Sequence, residues 1–340
     1  VQVAVQRGLR CALAENSKFG GTCLTRGCIP SKMLTTPADA IRQAEQASKI
    51  GVNLRLENIS WDSIGRRMRR QIDYCRDIEH NLTQIENLDI YRGNASFTGK
   101  KTLRVRHADG SFSEELTAAH IVIAAGARPL VPAVEGLEDT GYMTYETFFD
   151  SDFPKTPWNS LLIIGGGAVA AEFAHIFSAM GTAVTMIQRN ARLLPKEDED
   201  ISAFAQTQFE NNAITVLKNS QVVRAYSDNN EKHLVVRDNL SGEETDVRGE
   251  AILAAAGVQS NADLLRVDNA GIATDEHGWI QTDAYLQTGV PGVWALGDIN
   301  GKYPFRHKAN YEAELWIHNF FSPKKEQKED ISRWYKKEKK

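Results

Sequence analysis

The chain of 340 residues has 25% charged and 42% apolar residues and a formal net charge of −4, the make-up of a globular protein long enough for about two domains. Nothing in that balance implies a broad basic face, which argues against nucleic acid or a membrane surface as a partner. No apolar run approaches the ~20 residues that cross a bilayer, so a soluble protein is expected. The four cysteines form no scaffold pattern, which suits a reducing, cytoplasmic compartment.

In chain order, Val1–Arg7 reads as the end of a helix stopped by Gly8, and Leu9–Ala14 as a strand ending on Glu15. Gly20-Gly-Thr-Cys-Leu-Thr-Arg-Gly-Cys-Ile-Pro-Ser-Lys32 then sets Cys23 and Cys28 five positions apart in a glycine-bracketed turn. Such spacing lets two sulfurs meet across one distorted helical turn, and the tiny loop so closed would add little stability, which favours electron transfer over stapling. Two free cysteines or a zinc half-site fit the same spacing, although zinc usually takes a closer pair and a second pair elsewhere. Cys11 and Cys75 stand alone, and no metal site is assigned.

Ile41, Ile50, Ile64, Met68 and Ile72 recur at helical spacing within residues 38–87, predicting two helices. Leu103–Val105 and Phe112–Leu116 predict a hairpin around Asp109-Gly110, followed by the strand Ile121–Gly126. Prolines 129, 132, 154 and 157 mark a unit boundary. Next come a strand at Leu161–Ile164, the turn Gly165-Gly-Gly167-Ala-Val-Ala170, a helix to Met180 closed by Gly181, and a strand at Ala183–Ile187. Strand, glycine turn, helix and strand in about 30 residues form a dinucleotide-binding unit. Gly165 permits the tight turn, Gly167 lets backbone approach a pyrophosphate, and Ala170 keeps the helix close to the sheet. An acid at the end of the following strand would bind the ribose of NAD, but Gln188 stands there, followed by Arg189 and Arg192. That tilts the expectation toward NADPH, because cations can pair with a 2′-phosphate. From about Gly271 the chain is expected to return to the first domain through a strand at Val293–Leu296 that ends on Gly297-Asp298.

Together these segments resemble the FAD-containing pyridine nucleotide-disulfide oxidoreductases, most closely dihydrolipoamide dehydrogenases. The motifs that carry the resemblance are the Gly20–Lys32 segment, the Gly165 turn, Ala124-Ala-Gly126, Ala255-Ala-Gly257, Trp294-Ala-Leu-Gly-Asp298 and the run Gly301–Glu312. The resemblance implies an α/β fold with two Rossmann-like dinucleotide-binding domains, the second inserted in the first. Residues 1–150 would bind FAD, 151–270 NAD(P), 271–320 would return to the FAD domain, and 321–340 form a charged tail. It implies Cys28 as the flavin-facing thiol and Cys23 as the interchange thiol. A thiolate at Cys28 would gain from the following helix N-terminus and Lys32, and Lys32 beside the flavin would pair with Glu172. Further cofactor contacts fall on Glu15, Gly21, Thr22, Ala95, Gly126, Gly165, Gly167, Ala170, Gln188, Arg189, Gly257, Asp298 and Arg306.

The implied activity passes electrons between NAD(P)(H), FAD and the Cys23–Cys28 disulfide, with a small-molecule or lipoyl disulfide as substrate and a homodimeric parent. Mycothione, glutathione and mercuric reductases are the alternatives, as is an inactive remnant that binds only nucleotide. The family's first glycine loop and C-terminal interface domain, with its His-Glu pair, have no counterpart here, and His307 and His318 do not supply that pair. A chain truncated at both ends is therefore expected. Ala168, Ala255, Val258 and Ser260 also depart from family patterns around the second nucleotide site.

Overall fold

A computed structural model describes residues 1–323; the expected tail beyond 323 lies outside the described residues. The chain divides into two compact units. One comprises Val1–Phe19, Asp77–Arg128 and residues 258–323, the other Gly20–Arg76 and Pro129–Gly257.

The second unit is three layers deep, and the period of its central strand explains why. Its parallel sheet runs, in spatial order, Thr215–Leu217, Ala183–Ile187, Ser160–Ile164 and Ala251–Ala254. Successive side chains of a strand point to opposite faces. Leu161 and Ile163 accordingly join a core with Phe173, Phe177, Leu34 and Ile41 of two helices, whereas Leu162 and Ile164 join Val222, Leu234 and Val236 of a three-stranded antiparallel sheet. A strand covered on both sides reads as one continuous apolar run, which is what Leu161-Leu-Ile-Ile does.

The two helices are Cys28–Gln46 and Ala168–Ala179. On the first, buried Pro30, Leu34, Ala38 and Ile41 recur every three or four residues and make one apolar stripe. Pro30 sits in the first turn, where its missing N–H costs nothing. The two helices lie side by side and run in the same direction, with three polar contacts beside the stripe: Lys32 with Glu172, Asp39 with His175 Nε2 (2.7 Å), and Arg42 Nη2 donating to Ser178 Oγ (2.8 Å). The second long helix, Trp61–Thr83, stacks Trp61 on Phe153 with ring centroids 4.9 Å apart. Its Met68 and Ile72 are buried as the spacing predicted, but Ile50 is not part of that face. It ends a short 3-10 turn, Ala47–Ile50, and is 81% exposed.

In the first unit, Cys11–Glu15 pairs in parallel with Leu88–Arg92, and Ile121–Ile123 with Val293–Ala295. The last pairing is the expected return of the chain. The predicted hairpin is part of a three-stranded meander, Asn94–Gly99, Thr102–Arg106 and Leu116–Thr117. Phe112 makes only a bridge to Arg106 and is exposed. The core collects Phe97, Ile123, Val267, Ile272, Val293 and Ile299. Helix Arg306–Phe321 then packs on the 3-10 turn Gly297–Asn300.

Candidate active site

Cys23 and Cys28 are brought together by a broken helix. Cys23 lies in the short helix Gly21–Thr25, Cys28 is the first residue of helix Cys28–Gln46, and the backbone leaves helical geometry at Arg26-Gly27. A Cβ on Gly27 would lie 2.9 Å from the Thr22 carbonyl oxygen, so a side chain there would push the two helices apart. Gly20 and Gly21 adopt positive φ of 120° and 71°, the left-handed region that favours glycine, and so bring the chain into the short helix. The two cysteines are not joined in a disulfide, and Cys28 shares a hydrogen bond with Cys23. The Cys28 thiol is pushed up to about 11, by partial burial first and then by Cys23, while Lys32 pulls it down. The helix start and Lys32 act in the predicted direction, but the neighbouring sulfur and desolvation outweigh them.

Lys32 lies one turn into the cysteine helix and forms an ion pair with Glu172 of the glycine-turn helix. The Lys32 side chain is 61% exposed and that of Glu172 34%, so the pair orients the ammonium more than it stabilises the fold.

The glycine turn has the form that an anion needs. Gly165 has φ +131°, and a Cβ there would lie 2.7 Å from the Ala255 carbonyl carbon. Gly167 faces open space, with nothing within 4 Å of a Cβ, and is the N-cap of helix Ala168–Ala179. That helix has no side-chain cap and no acid in its first turn. Its leading N–H groups are left for an external acceptor, and a pyridine-nucleotide pyrophosphate fits there. Ala170 is fully buried, as close packing of helix on sheet requires. Gln188 is buried and donates through Nε2 to the Arg192 carbonyl (2.9 Å), and Arg192 lies 3.0 Å from Glu199. Gln188 is thus spent on shaping the loop. Arg189 has no side-chain partner among the described residues, apart from its carbonyl, which accepts from Asn239. Gly257, at φ +129°, follows the strand Ala251–Ala254.

In the other unit, Glu15 ends its strand as expected, and its Oε1 accepts from Ser17 N–H at 2.8 Å. Ala95 lies in the strand Asn94–Gly99 in register with Val105. Gly126 has φ +65° with open space around a Cβ. Arg306 opens the helix Arg306–Phe321. The Asp298 carboxyl is half-buried, its pKa raised by that burial against the opposing charge of Lys308. It accepts no hydrogen bond from any described residue, so a polyhydroxylated chain such as the flavin ribityl fits it. Sequence reasoning missed the cluster of Lys308, Glu312 and Asn300 beneath that turn, although a Lys and Glu at i, i+4 were its available signal. It also missed Arg128, whose Nη1 and Nη2 donate to Asp263 at 2.8 and 2.7 Å. Nothing local marks that pair. Among the described residues no helix is long and apolar enough to cross a membrane.

Comparison with known proteins agrees with this geometry. The family profile of the pyridine nucleotide-disulphide oxidoreductases matches residues 1–313. Mycothione reductase of Mycobacterium tuberculosis is 33% identical over 322 residues, covering 91% of this chain and 66% of that protein. Dihydrolipoyl dehydrogenase of Chlorobaculum parvum is 32% identical, again with 66% of its length covered, and that of Acholeplasma laidlawii is 30% identical with 88% covered. The chain thus spans about two thirds of the length of the first two of these relatives. Among solved structures, the HOCl-induced flavoprotein disulfide reductase RclA of Escherichia coli superposes with a TM-score of 0.81 at 27% identity, over 96% of this chain and 68% of that one. The chain belongs to the pyridine nucleotide-disulphide oxidoreductase family, whose members use FAD and NAD(P).

Proposed function

We propose that this chain carries the electron path of a flavin-dependent dithiol/disulfide oxidoreductase of the dihydrolipoyl dehydrogenase kind. The observation that carries the reading is the Cys23–Cys28 thiol pair, hydrogen-bonded at the start of a helix whose next turn presents Lys32 to Glu172. Residues 1–150 and 271–320 are proposed to serve FAD and residues 151–270 NAD(P). Bound there, FAD would pass an electron pair between the nicotinamide and the cysteine pair.

The residues of the chain divide the remaining work. In the reducing direction, Cys23 as thiolate attacks one sulfur of a substrate disulfide. The Cys23–substrate bond forms, the substrate S–S bond breaks, and the departing sulfur takes up a proton. Cys23 is then neutral, and Cys28 loses both the hydrogen bond and the charge that helped to hold its proton. Burial still opposes ionisation, but the helix N-terminus and Lys32 now act against it alone. Cys28 gives up its proton and attacks Cys23, forming the Cys23–Cys28 disulfide and releasing the second substrate thiol. The reverse sequence oxidises a dithiol. Lys32, oriented by Glu172, places a cation where negative charge develops. Asp298 and Glu15 would accept hydrogen bonds from cofactor hydroxyls. Arg189, without a side-chain partner, would meet a 2′-phosphate and so favour NADPH.

The test is lipoamide turnover by the chain and its variants with FAD and either nicotinamide. Cys23→Ser should abolish disulfide turnover and Cys28→Ser should do the same; a normal rate in Cys28→Ser would overturn the assignment. A second reading, reduction of a low-molecular-weight disulfide of the mycothione type, is favoured by the 33% identity to mycothione reductase. Comparing that disulfide with lipoamide as substrate separates the two. Residence in the cytoplasm and a homodimeric assembly complete the proposal.

A further inference from the structure

Lys308, Glu312 and Asn300 are 7, 2 and 5% exposed. The Glu312 carboxylate accepts from the Gly297 N–H (2.8 Å), from Asn300 Nδ2 (3.1 Å) and from Lys308 Nζ (3.0 Å). Lys308 Nζ also donates to the Gly297 carbonyl (3.0 Å) and to Asn300 Oδ1. Both backbone polar groups of Gly297, at φ +78°, and the side chain of Asn300 are therefore gripped by one buried ion pair. Between those two residues sits Asp298, whose carboxyl accepts nothing from the described residues.

Burying two charges is expensive, and an apolar pair of similar volume would often serve stability as well or better. The contacts explain what the ion pair does that an apolar pair could not. Its hydrogen bonds end on the backbone of one 3-10 turn, Gly297–Asn300, and fix its path on both sides of Asp298.

We propose that Glu312, itself held by Lys308, is the positioning residue for Asp298, locking the Gly297–Asn300 turn so that the Asp298 carboxylate faces a polyhydroxylated ligand ready to accept. The proposal rests on the flavin reading above, since a flavin ribityl chain is such a ligand. It gives Glu312 and Lys308 no contact with the cofactor.

The test uses the full 340-residue chain and a double-mutant cycle read by quenching of FAD fluorescence. Glu312→Gln should weaken FAD binding about tenfold when Asp298 is present and less than about twofold in the Asp298→Asn background. Equal weakening in both backgrounds, or none in the first, overturns the proposal. Amide exchange with no flavin added gives a second readout. In Glu312→Gln the Gly297 amide should exchange faster while the strand Val293–Ala295 keeps its protection, and unchanged exchange at Gly297 also overturns it. Should Glu312→Gln fail to fold, Lys308→Arg runs the same cycle, because the guanidinium keeps the charge but cannot place one nitrogen against Gly297 O, Asn300 and Glu312 together. If the parent chain binds no FAD, or Asp298→Asn binds it as tightly as the parent, the flavin reading falls, and exchange at Gly297 alone decides whether Glu312 holds the turn.

Discussion

Two glycines two positions apart should fail in opposite ways when replaced by alanine. At Gly165 the φ of +131° lies where L residues carry a strain of about 1–3 kcal/mol. The new Cβ would stand 2.7 Å from the Ala255 carbonyl carbon and closer still to its oxygen. Restoring an ordinary contact of about 3.5 Å displaces that peptide by roughly 1 Å. The displacement strikes hydrogen bonds that close the sheet, Ala255 N to Ile164 O and Gly165 N to Ile187 O, both 2.8 Å. Losing one buried backbone hydrogen bond adds about 1–3 kcal/mol, so Gly165→Ala should cost about 2–6 kcal/mol in all. A unit of this size loses about 2–4 °C per kcal/mol, which places the fall near 10 °C. Gly167 differs: its φ is −85° and a Cβ meets nothing within 4 Å. Gly167→Ala should cost under about 1 kcal/mol, as a helix N-cap change does, yet fill the space through which a pyrophosphate reaches the helix N–H groups. Thermal unfolding by circular dichroism and quenching of NADPH fluorescence separate the two effects. The reasoning is refuted if Gly165→Ala melts within about 2 °C of the parent, or if Gly167→Ala binds nucleotide as the parent does.

Alkylation of Cys28 by iodoacetamide, followed by peptide mass spectrometry, should rise with pH toward an inflection near 11. In Cys23→Ser the inflection should fall, since one of the causes that hold the proton is gone; an unmoved profile would show that burial alone sets it. The Arg128–Asp263 pair should contribute its stability above the ordinary carboxylate value of 3.8, because Arg128 depresses the Asp263 pKa, and lose it as pH falls through the depressed value. Arg128→Lys, which cannot make the two-pronged contact, should lower the urea midpoint at pH 6 by an amount equivalent to about 1 kcal/mol or less, since Asp263 is largely exposed. The difference should shrink as the pH is lowered below 3.8, and one of unchanged size throughout the acid range would refute the linkage. Glu172→Gln should change stability by less than about 1 kcal/mol, the pair with Lys32 being solvent-exposed, while slowing disulfide turnover. A loss of several kcal/mol by urea titration would mean that the pair holds the two helices together.

The part of this molecule legible in its sequence is the part built from neighbours along the chain. The strand, glycine turn, helix and strand from Ser160 to Ile187 appear where the apolar period and the glycines put them, because backbone conformation at Gly165 and side-chain alternation are local properties. The Cys23–Cys28 contact was likewise within reach, since five positions suffice to bring the sulfurs together. Period failed at Ile50, which sits on an apolar spacing but past the end of its helix, and at Phe112, which makes a single bridge to Arg106 and stays exposed.

What tertiary structure alone decided is which charges act on which groups. The Cys28 proton is held by burial and by a second sulfur, and neither can be weighed from a helix start and a lysine four residues on. Gln188 turns inward to the Arg192 carbonyl, leaving Arg189 as the cation at that strand end. Arg128 meets Asp263 across 135 positions, and Glu312 reaches back to the Gly297 amide. Residue types and their spacing determine secondary structure and motif, since those depend on local geometry. Protonation and the aim of a carboxylate depend on desolvation and on charges a few ångströms away, and only the folded chain brings those together.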